Sequence, residues 1–138
     1  MEKKENTIII ADDHEMFRDG IKLIVSLMPS CKVIAEAADG SELLQLLDTY
    51  LPDLVLMDVS MPVMDGITAT KRALAKYPSL KVIGLSMYDD VSYYNDMVNA
   101  GAMGYVLKKS SKTELETAII NVLGGNHYAS QDLMMKIL

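Results

Sequence analysis

The chain has 138 residues, half of them hydrophobic, and a formal net charge of -6 at pH 7. This length predicts one domain that buries roughly two-thirds of its unfolded surface, and the acidic balance, with a sequence pI of about 4.8, lacks the basic surface of a nucleic-acid binder. A single cysteine excludes an internal disulfide, and since we find neither an export signal nor a run of about 18 apolar residues, we expect a cytoplasmic protein without a membrane span.

Five apolar runs are predicted to be buried strands, and they begin at Ile8, Val33, Leu54, Val82 and Tyr105. Segments with the apolar spacing of helices lie between them, and Pro or Gly residues follow several of these segments. Strands that alternate with helices indicate βαβ units around a parallel sheet. We therefore predict an α/β fold of the (βα)5 type, a doubly wound, five-stranded parallel sheet with helices on both faces.

The first 124 residues account for this predicted domain, and residues 125–138 follow it as a tail. Ser130 is a candidate cap for a short helix that contains Leu133, Met134, Ile137 and Leu138. This helix could dock on the body of the domain, or the tail could begin a linker to a further domain. The sequence leaves both alternatives open.

Methionine is abundant in the chain, with eleven residues. Met16, Met28, Met57 and Met97 fall at apolar positions of the predicted elements. Because methionine is flexible and fills irregular gaps between other side chains, we predict that these four lie in the core.

Three aspartates follow two of the predicted strands: Asp12 and Asp13 end the first run, and Asp58 ends the third. If those strands are neighbours, the acids meet at the sheet edge where open α/β folds bind ligands. Two carboxylates about 4 Å apart repel by roughly 4 kcal/mol at an effective dielectric near 20. A hard cation such as Mg²⁺, which prefers oxygen ligands, would offset this cost. The adjacent His14 is not needed as a ligand and is expected to begin the first helix near solvent.

Separated motifs occur in a recognisable order: Asp12-Asp13, the stretch from Asp58 to Gly66 (Asp-Val-Ser-Met-Pro-Val-Met-Asp-Gly), Ser86 after a strand, and Lys108 after Gly-Tyr-Val-Leu. Over roughly residues 6 to 124 the chain resembles bacterial response-regulator receiver domains, in particular those of the NarL/FixJ type (LuxR family). The resemblance implies the flavodoxin-like strand order 2-1-3-4-5. In this subfamily a helix-turn-helix domain usually follows, so DNA contact and transcription regulation would be expected only through such a domain.

The resemblance also implies roles for individual residues. Asp58 would be the phosphoacceptor, with Lys108 as its salt-bridge partner and a sensor histidine kinase or phosphotransfer protein as the donor. Ser86 and Tyr105 would move when Asp58 is phosphorylated, although Tyr105 could instead be an ordinary half-buried strand residue. Mg²⁺ would be held by Asp12, Asp13, Asp58 and the backbone carbonyl of Ser60. The module would assist only its own phosphorylation and dephosphorylation, so it would not be an enzyme in the usual sense.

Some features depart from the family pattern. Lys109 stands where many members have proline at a cis bond, and a non-proline cis bond costs about 2.5 to 4 kcal/mol, so the Lys108–Lys109 bond could be either isomer. Ser60 and Tyr88 occupy positions that in the family tune the access of water to the acyl phosphate, and Tyr88 is predicted to slow its hydrolysis. Charges around the fourth and fifth helices could support a phosphorylation-dependent homodimer or could simply be solvated.

Alternative functions remain for this arrangement of acids. A magnesium-dependent phosphohydrolase also uses acids at strand ends and a lysine, but we find no separate general acid and no cap domain. A pseudo-receiver that only binds partners would be expected to lack some of the acids or the lysine. A flavin carrier is disfavoured because Asp-Asp-His-Glu stands where a Ser/Thr/Gly-rich phosphate loop would follow the first strand.

Overall fold

The computed structural model describes residues 5–137, and a parallel sheet of six strands lies at its centre. The strand order is β2-β1-β3-β4-β5-β6, and every neighbouring pair is parallel. The strands are β1 (Asn6–Ala11), β2 (Cys31–Ala37), β3 (Leu54–Asp58), β4 (Lys81–Ser86), β5 (Gly104–Leu107) and β6 (Tyr128–Ala129).

Helices connect the strands and cover both faces of the sheet. They are α1 (Glu15–Ser26), α2 (Gly40–Leu47), α3 (Gly66–Lys76), α4 (Val91–Ala100), α5 (Lys112–Leu123) and α6 (Gln131–Ile137). Four of them begin at a residue whose side chain accepts a backbone N–H of the first turn, namely Asp39, Asp65, Asp90 and Ser111. Within residues 5–137, no helix is long and apolar enough to cross a membrane.

The core consists of two apolar clusters, one on each face of the sheet. Alternate residues of a strand point to opposite faces, so Ile8 and Ile10 of β1 join one cluster while Ile9 and Ala11 join the other. Side chains of α1 and α5 complete the first cluster, and those of α2, α3 and α4 complete the second. The central strands are buried on both faces, which explains why they read as continuous apolar runs.

The five predicted core strands and their order 2-1-3-4-5 are confirmed, and a short sixth strand extends the sheet beside β5. Residues 128 and 129 form β6, which pairs in parallel with β5. A strand of two residues carries no periodic pattern, so only its tertiary pairing with β5 defines it. The predicted short helix is present as α6, and its Leu133 is fully buried. Leu138 lies outside the described residues.

Three of the four predicted core methionines, Met28, Met57 and Met97, are buried. Met16 is not, since 89% of it is exposed on the first turn of α1, so that part of the prediction was wrong. No peptide bond between residues 5 and 137 is cis, and the Lys108–Lys109 bond is therefore trans.

Candidate functional site

The predicted acids meet at one edge of the sheet. Asp12 follows β1 and Asp58 ends β3, and these strands are neighbours with Ala11 opposite Met57. Side-chain ligand atoms of Asp12, Asp13, His14 and Asp58 lie within 4.8 Å of one another. Asp12 and Asp58 are buried, whereas the other two side chains are open to solvent. The edge thus combines two desolvated carboxylates with an accessible rim.

The loop between β3 and α3 folds tightly against Asp58. The N–H of Gly66 donates to the carbonyl of Val59 at 2.9 Å, and a Cβ on Gly66 would collide with the backbone carbonyl oxygen of Asp58. Asp65 then caps α3 by accepting the N–H of Thr68. The Asp-Gly pair before this helix therefore allows the chain to pass directly behind Asp58.

Lys108 extends from the end of β5 into the acidic cluster. Its Nζ lies 2.7 Å from Oδ2 of Asp12 and 3.2 Å from Oδ2 of Asp58, and 4.5 Å from the ring centroid of Phe17. Its backbone N–H donates to the carbonyl of Ser86 at 2.7 Å. The buried ammonium group is thereby the counter-ion of both buried carboxylates.

The electrostatics of Asp58 reflect its surroundings. Burial, reinforced by the charge of Asp12, raises the pKa of Asp58 from its usual 3.8 to about 6, against the opposing effects of Lys108 and the Ser60 N–H. That N–H donates to Oδ1 of Asp58 at 3.2 Å. Asp58 is consequently ionised at neutral pH, but Lys108 and the Ser60 N–H offset its negative charge only in part.

The cluster fits a hard cation. Oδ2 of Asp12 is buried, and its contact with the Lys108 ammonium group is a charge pair rather than a hydrogen bond. Two buried carboxylates share this one ammonium group, so part of their negative charge is left for a further cation to offset. The available oxygen atoms come from carboxylates, the ligand type that suits Mg²⁺. His14 is 60% exposed at the start of α1, in agreement with the expectation for it.

Ser86 ends β4 beside this cluster. Its hydroxyl donates to the carbonyl of Tyr88 at 3.1 Å and accepts the Tyr88 N–H at 2.9 Å. The Tyr88 ring stacks on that of Tyr93, with centroids 5.3 Å apart. A cleft of about 120 Å³ opens here, lined by Asp13, His14, Asp58, Ser60, Ser86, Met87, Tyr88 and Lys108.

Tyr105 lies deeper, on β5 opposite Gly84 of β4. It is only 1% exposed, its ring meets that of Tyr94 edge-on at 5.6 Å, and its hydroxyl donates to the carbonyl of Tyr88 at 3.4 Å. Tyr105 is thus fully buried rather than half-buried, and its ring lies in the core.

Two residues near the site escaped the sequence analysis. Phe17 is an apolar residue of α1 that no motif singles out, yet its ring lies 4.5 Å from the Lys108 ammonium group. Ser130 was read as a helix cap, yet its hydroxyl accepts the N–H of Leu107. Both contacts join residues that are far apart in the chain, so no local sequence pattern predicts them.

Comparison with known proteins places the site in context. Residues 8–120 match the family model described as the response regulator receiver domain. The transcriptional regulatory protein DegU of Brevibacillus brevis is 40% identical over 121 residues, which are 88% of this chain and 51% of DegU. The chain therefore spans about half the length of this curated relative.

Two solved structures share the fold over nearly their whole length. A LuxR-family two-component response regulator from Aurantimonas sp. SI85-9A1 superposes with a TM-score of 0.93 at 32% identity, over 97% of this chain and 96% of that one. The isolated REC domain of RcsB from Salmonella enterica serovar Typhimurium, determined in the presence of the phosphomimetic BeF3-, gives a TM-score of 0.89 at 27% identity, over 96% and 98%.

Proposed function

Because this chain belongs to the family of response regulator receiver domains of two-component systems, we propose that it is a switch controlled by phosphorylation of Asp58. The family consists of signalling phosphoacceptor domains rather than classical enzymes. The observation that carries the proposal is the buried pair of Asp12 and Asp58 with the Lys108 ammonium group between them. An ordinary surface acid after a strand would have neither this burial nor a buried counter-ion.

The proposed reaction is transfer of a phosphoryl group to the Asp58 carboxylate. An oxygen of Asp58 forms a bond to phosphorus while the bond from phosphorus to the donor breaks, and the leaving group takes the bonding electrons. Lys108 and the Ser60 N–H hold the two carboxylate oxygens from opposite sides. This positioning, together with charge neutralisation, is most of what such a transfer requires from the protein.

We assign the cation to Asp12, Asp13, Asp58 and the backbone carbonyl of Ser60, with Mg²⁺ as the ion. When bound, Mg²⁺ supplies positive charge that offsets the charge on the transferring phosphoryl oxygens. The cleft of about 120 Å³ beside Asp58 has room for a phosphoryl group and water. Asp13 lines this cleft and is exposed to solvent.

The proposed output is a rearrangement around Ser86 and Tyr105. In this rearrangement the Ser86 hydroxyl gives up its hydrogen bonds to the Tyr88 backbone and donates to a phosphoryl oxygen instead. The loop after β4 is then free to repack against Tyr105. One hydrogen bond to a charged group contributes about 1.5–3 kcal/mol, whereas moving a population from 1:99 to 99:1 takes about 5.5 kcal/mol. Lys108 and the loop therefore contribute together with Ser86.

Partners follow from this function. Members of the family act with kinases, and we propose a histidine kinase or a phosphotransfer protein as the donor.

We take residues 1–124 as the receiver domain and 125–138 as a tail that leads toward an output domain, through which the protein would bind DNA and regulate transcription. A phosphorylation-dependent homodimer is also proposed, because charges such as Asp89, just before α4, and Lys109, just after β5, are exposed.

The first test is intact mass after incubation with acetyl phosphate and Mg²⁺. We expect the wild-type chain to gain one phosphoryl group, and Asp58→Ala to gain none. Asp19→Ala, which removes an exposed acid of α1, is the matched control and should label like the wild type. Omitting Mg²⁺ should prevent labelling.

Absence of labelling in a folded wild-type chain would contradict the proposed function. Continuous phosphate release under the same conditions would then favour a phosphohydrolase, and its absence would favour a partner-binding pseudo-receiver.

A further inference from the structure

The end of the sheet beside Lys108 is completed by the tail. Tyr128 and Ser130 donate their N–H groups to the carbonyls of Met103 and Tyr105, at 3.0 and 2.9 Å. The next donor of β5 along this edge is the N–H of Leu107. In a regular parallel ladder, the residue that donates to one strand position accepts from the position two residues further on. The regular partner of the Leu107 N–H would therefore be the carbonyl of Ser130.

That carbonyl is already engaged. It accepts the N–H groups of Leu133 and Met134 at 3.1 and 3.0 Å, in the first turn of α6. The Leu107 N–H instead donates to the hydroxyl of Ser130 at 2.9 Å. The Ser130 side chain thus takes over the ladder bond that its own backbone has given to the helix, and it is fully buried there.

The same hydroxyl also reaches the far side of the Lys108 loop. Ser110 Oγ lies 3.2 Å from Ser130 Oγ, and the Ser110 N–H donates to the carbonyl of Leu107 at 2.9 Å, which closes a tight turn. Lys108 therefore lies between two residues that Ser130 contacts. Its ammonium points in the opposite direction, toward Asp12 and Asp58.

Ser130 is itself held firmly by its neighbours. Glu114 of α5 accepts the N–H of Gln131 and the hydroxyl of Tyr128, both at 3.1 Å. Leu133 is fully buried one turn later. These contacts, before and after Ser130 in the chain, hold its hydroxyl opposite the Leu107 N–H and limit its movement.

We propose that Ser130 is a positioning residue for Lys108, which makes the docked tail a working part of the phosphorylation site. The inference rests on the proposed function, since it concerns how efficiently Asp58 accepts a phosphoryl group. Ser130 lies outside residues 8–120, the region that matches the family model. Loss of the hydroxyl leaves a buried N–H without a partner, and the turn around Lys108 loosens.

The test is a double-mutant cycle on the rate of phosphorylation by acetyl phosphate with saturating Mg²⁺. We expect Ser130→Ala to slow the wild-type rate by roughly 3- to 30-fold, because small displacements of a catalytic group are costly. In a Lys108→Ala background, followed over long incubations, the same change should alter the rate by less than about twofold. Equal slowing in both backgrounds, or no slowing in either, would overturn the proposal.

Two variants separate positioning from stability. Ser110→Ala removes the contact between the two hydroxyls but keeps the Leu107 bond, so it should slow the reaction less than Ser130→Ala. Val25→Ala truncates a buried side chain in the last turn of α1 that contacts neither Lys108 nor Ser130 in any hydrogen bond or ion pair described above, and should leave the rate of the folded protein unchanged. A slowing by Val25→Ala that equals that of Ser130→Ala would also overturn the proposal.

Amide exchange of the wild-type chain gives a readout that needs no variant to fold. The Leu107 amide should exchange as slowly as its protected neighbours in the sheet, and exchange at the rate of an open amide would refute the hydrogen bond. Failure of the wild type to take up any phosphoryl group would contradict the proposed function instead, so the two failures are distinguishable.

Discussion

Lys108 Nζ lies 2.7 Å from Oδ2 of Asp12, closer than to any oxygen of the proposed phosphoacceptor. The ammonium group donates its hydrogen bond to Asp58, however, so the two buried carboxylates share one counter-ion. This sharing fits the raised pKa of Asp58, whose causes are burial and then the charge of Asp12. The site thus holds two buried carboxylates whose charge one ammonium group offsets only in part.

Replacing Asp58 with asparagine should stabilise the metal-free protein at neutral pH. Because its pKa is about 6 in the fold and usually 3.8, Asp58 favours folding at low pH and loses this contribution as the pH rises through 6. We expect Asp58→Asn to raise the free energy of unfolding by roughly 1–3 kcal/mol at pH 7.5 and to have little effect near pH 4. Urea unfolding in EDTA measures this, with exposed Asp19→Asn as the control; a loss of stability at pH 7.5 would contradict the prediction.

Ser86→Ala should separate phosphorylation from its consequence. The hydroxyl bonds to the Tyr88 backbone rather than supporting the Asp58 carboxylate, so we expect normal labelling by intact mass. The phosphorylated population that completes the rearrangement should fall, because a bond to a charged group contributes about 1.5–3 kcal/mol. Amide chemical shifts of residues 86–90 with and without beryllofluoride report the change. A variant that accepts no phosphoryl group would refute this assignment.

Tyr88 should lengthen the life of the acyl phosphate. Its half-exposed ring, stacked on Tyr93, borders the cleft beside Asp58, where it limits the approach of water. We expect Tyr88→Ala to lose its phosphoryl group several-fold faster than the wild type, and Tyr88→Phe, which keeps the ring, to resemble the wild type. The decay of the phosphorylated mass after donor removal measures both rates. Equal or slower decay in Tyr88→Ala would argue against the screening role.

Two glycine substitutions should have opposite effects on stability. Gly66→Ala forces a Cβ into the Asp58 carbonyl and should cost more than about 2 kcal/mol, within the range of overpacking effects. Gly20→Ala meets no atom within 4 Å on an exposed part of α1 and should gain about 0.5–1 kcal/mol from helix propensity. Thermal unfolding of the two variants tests the pair. A tolerated Gly66→Ala would mean that the loop is not packed as tightly as described.

Val63 is expected to be a strained position. It has a φ of 66° and is 86% exposed, so a β-branched residue occupies a left-handed conformation with little contact in return. We expect Val63→Gly to raise the free energy of unfolding by about 1 kcal/mol, and Val63→Ala by less. Urea denaturation provides the comparison, and destabilisation by glycine would show that the Val63 side chain contributes packing instead.

The strands were predictable because they are buried on both faces. Runs such as Leu54–Met57 are apolar throughout, and the acids after them mark the edge at which they end. The positions of Asp12, Asp58 and Lys108 relative to one another then follow from strand order. Contacts between distant segments were not predictable. Examples are the contact of the Phe17 ring with the Lys108 ammonium group and the hydrogen bond from the Leu107 N–H to the Ser130 hydroxyl. The conformation of Val63 contradicts its local preference, so no sequence rule would suggest it.

The two-residue strand β6 has a further consequence for how the sheet meets other molecules. Open strand edges invite pairing with foreign chains and aggregation, and proteins protect them by charge, by irregularity or by cover. The β2 edge carries Lys32 and Glu36 and a register shift against β1, whereas the β5 edge lacks charged side chains along Gly104–Leu107. At this edge the tail covers β5 by pairing with it as β6. Release of the tail would therefore expose an apolar strand edge with which a second copy of the chain could pair.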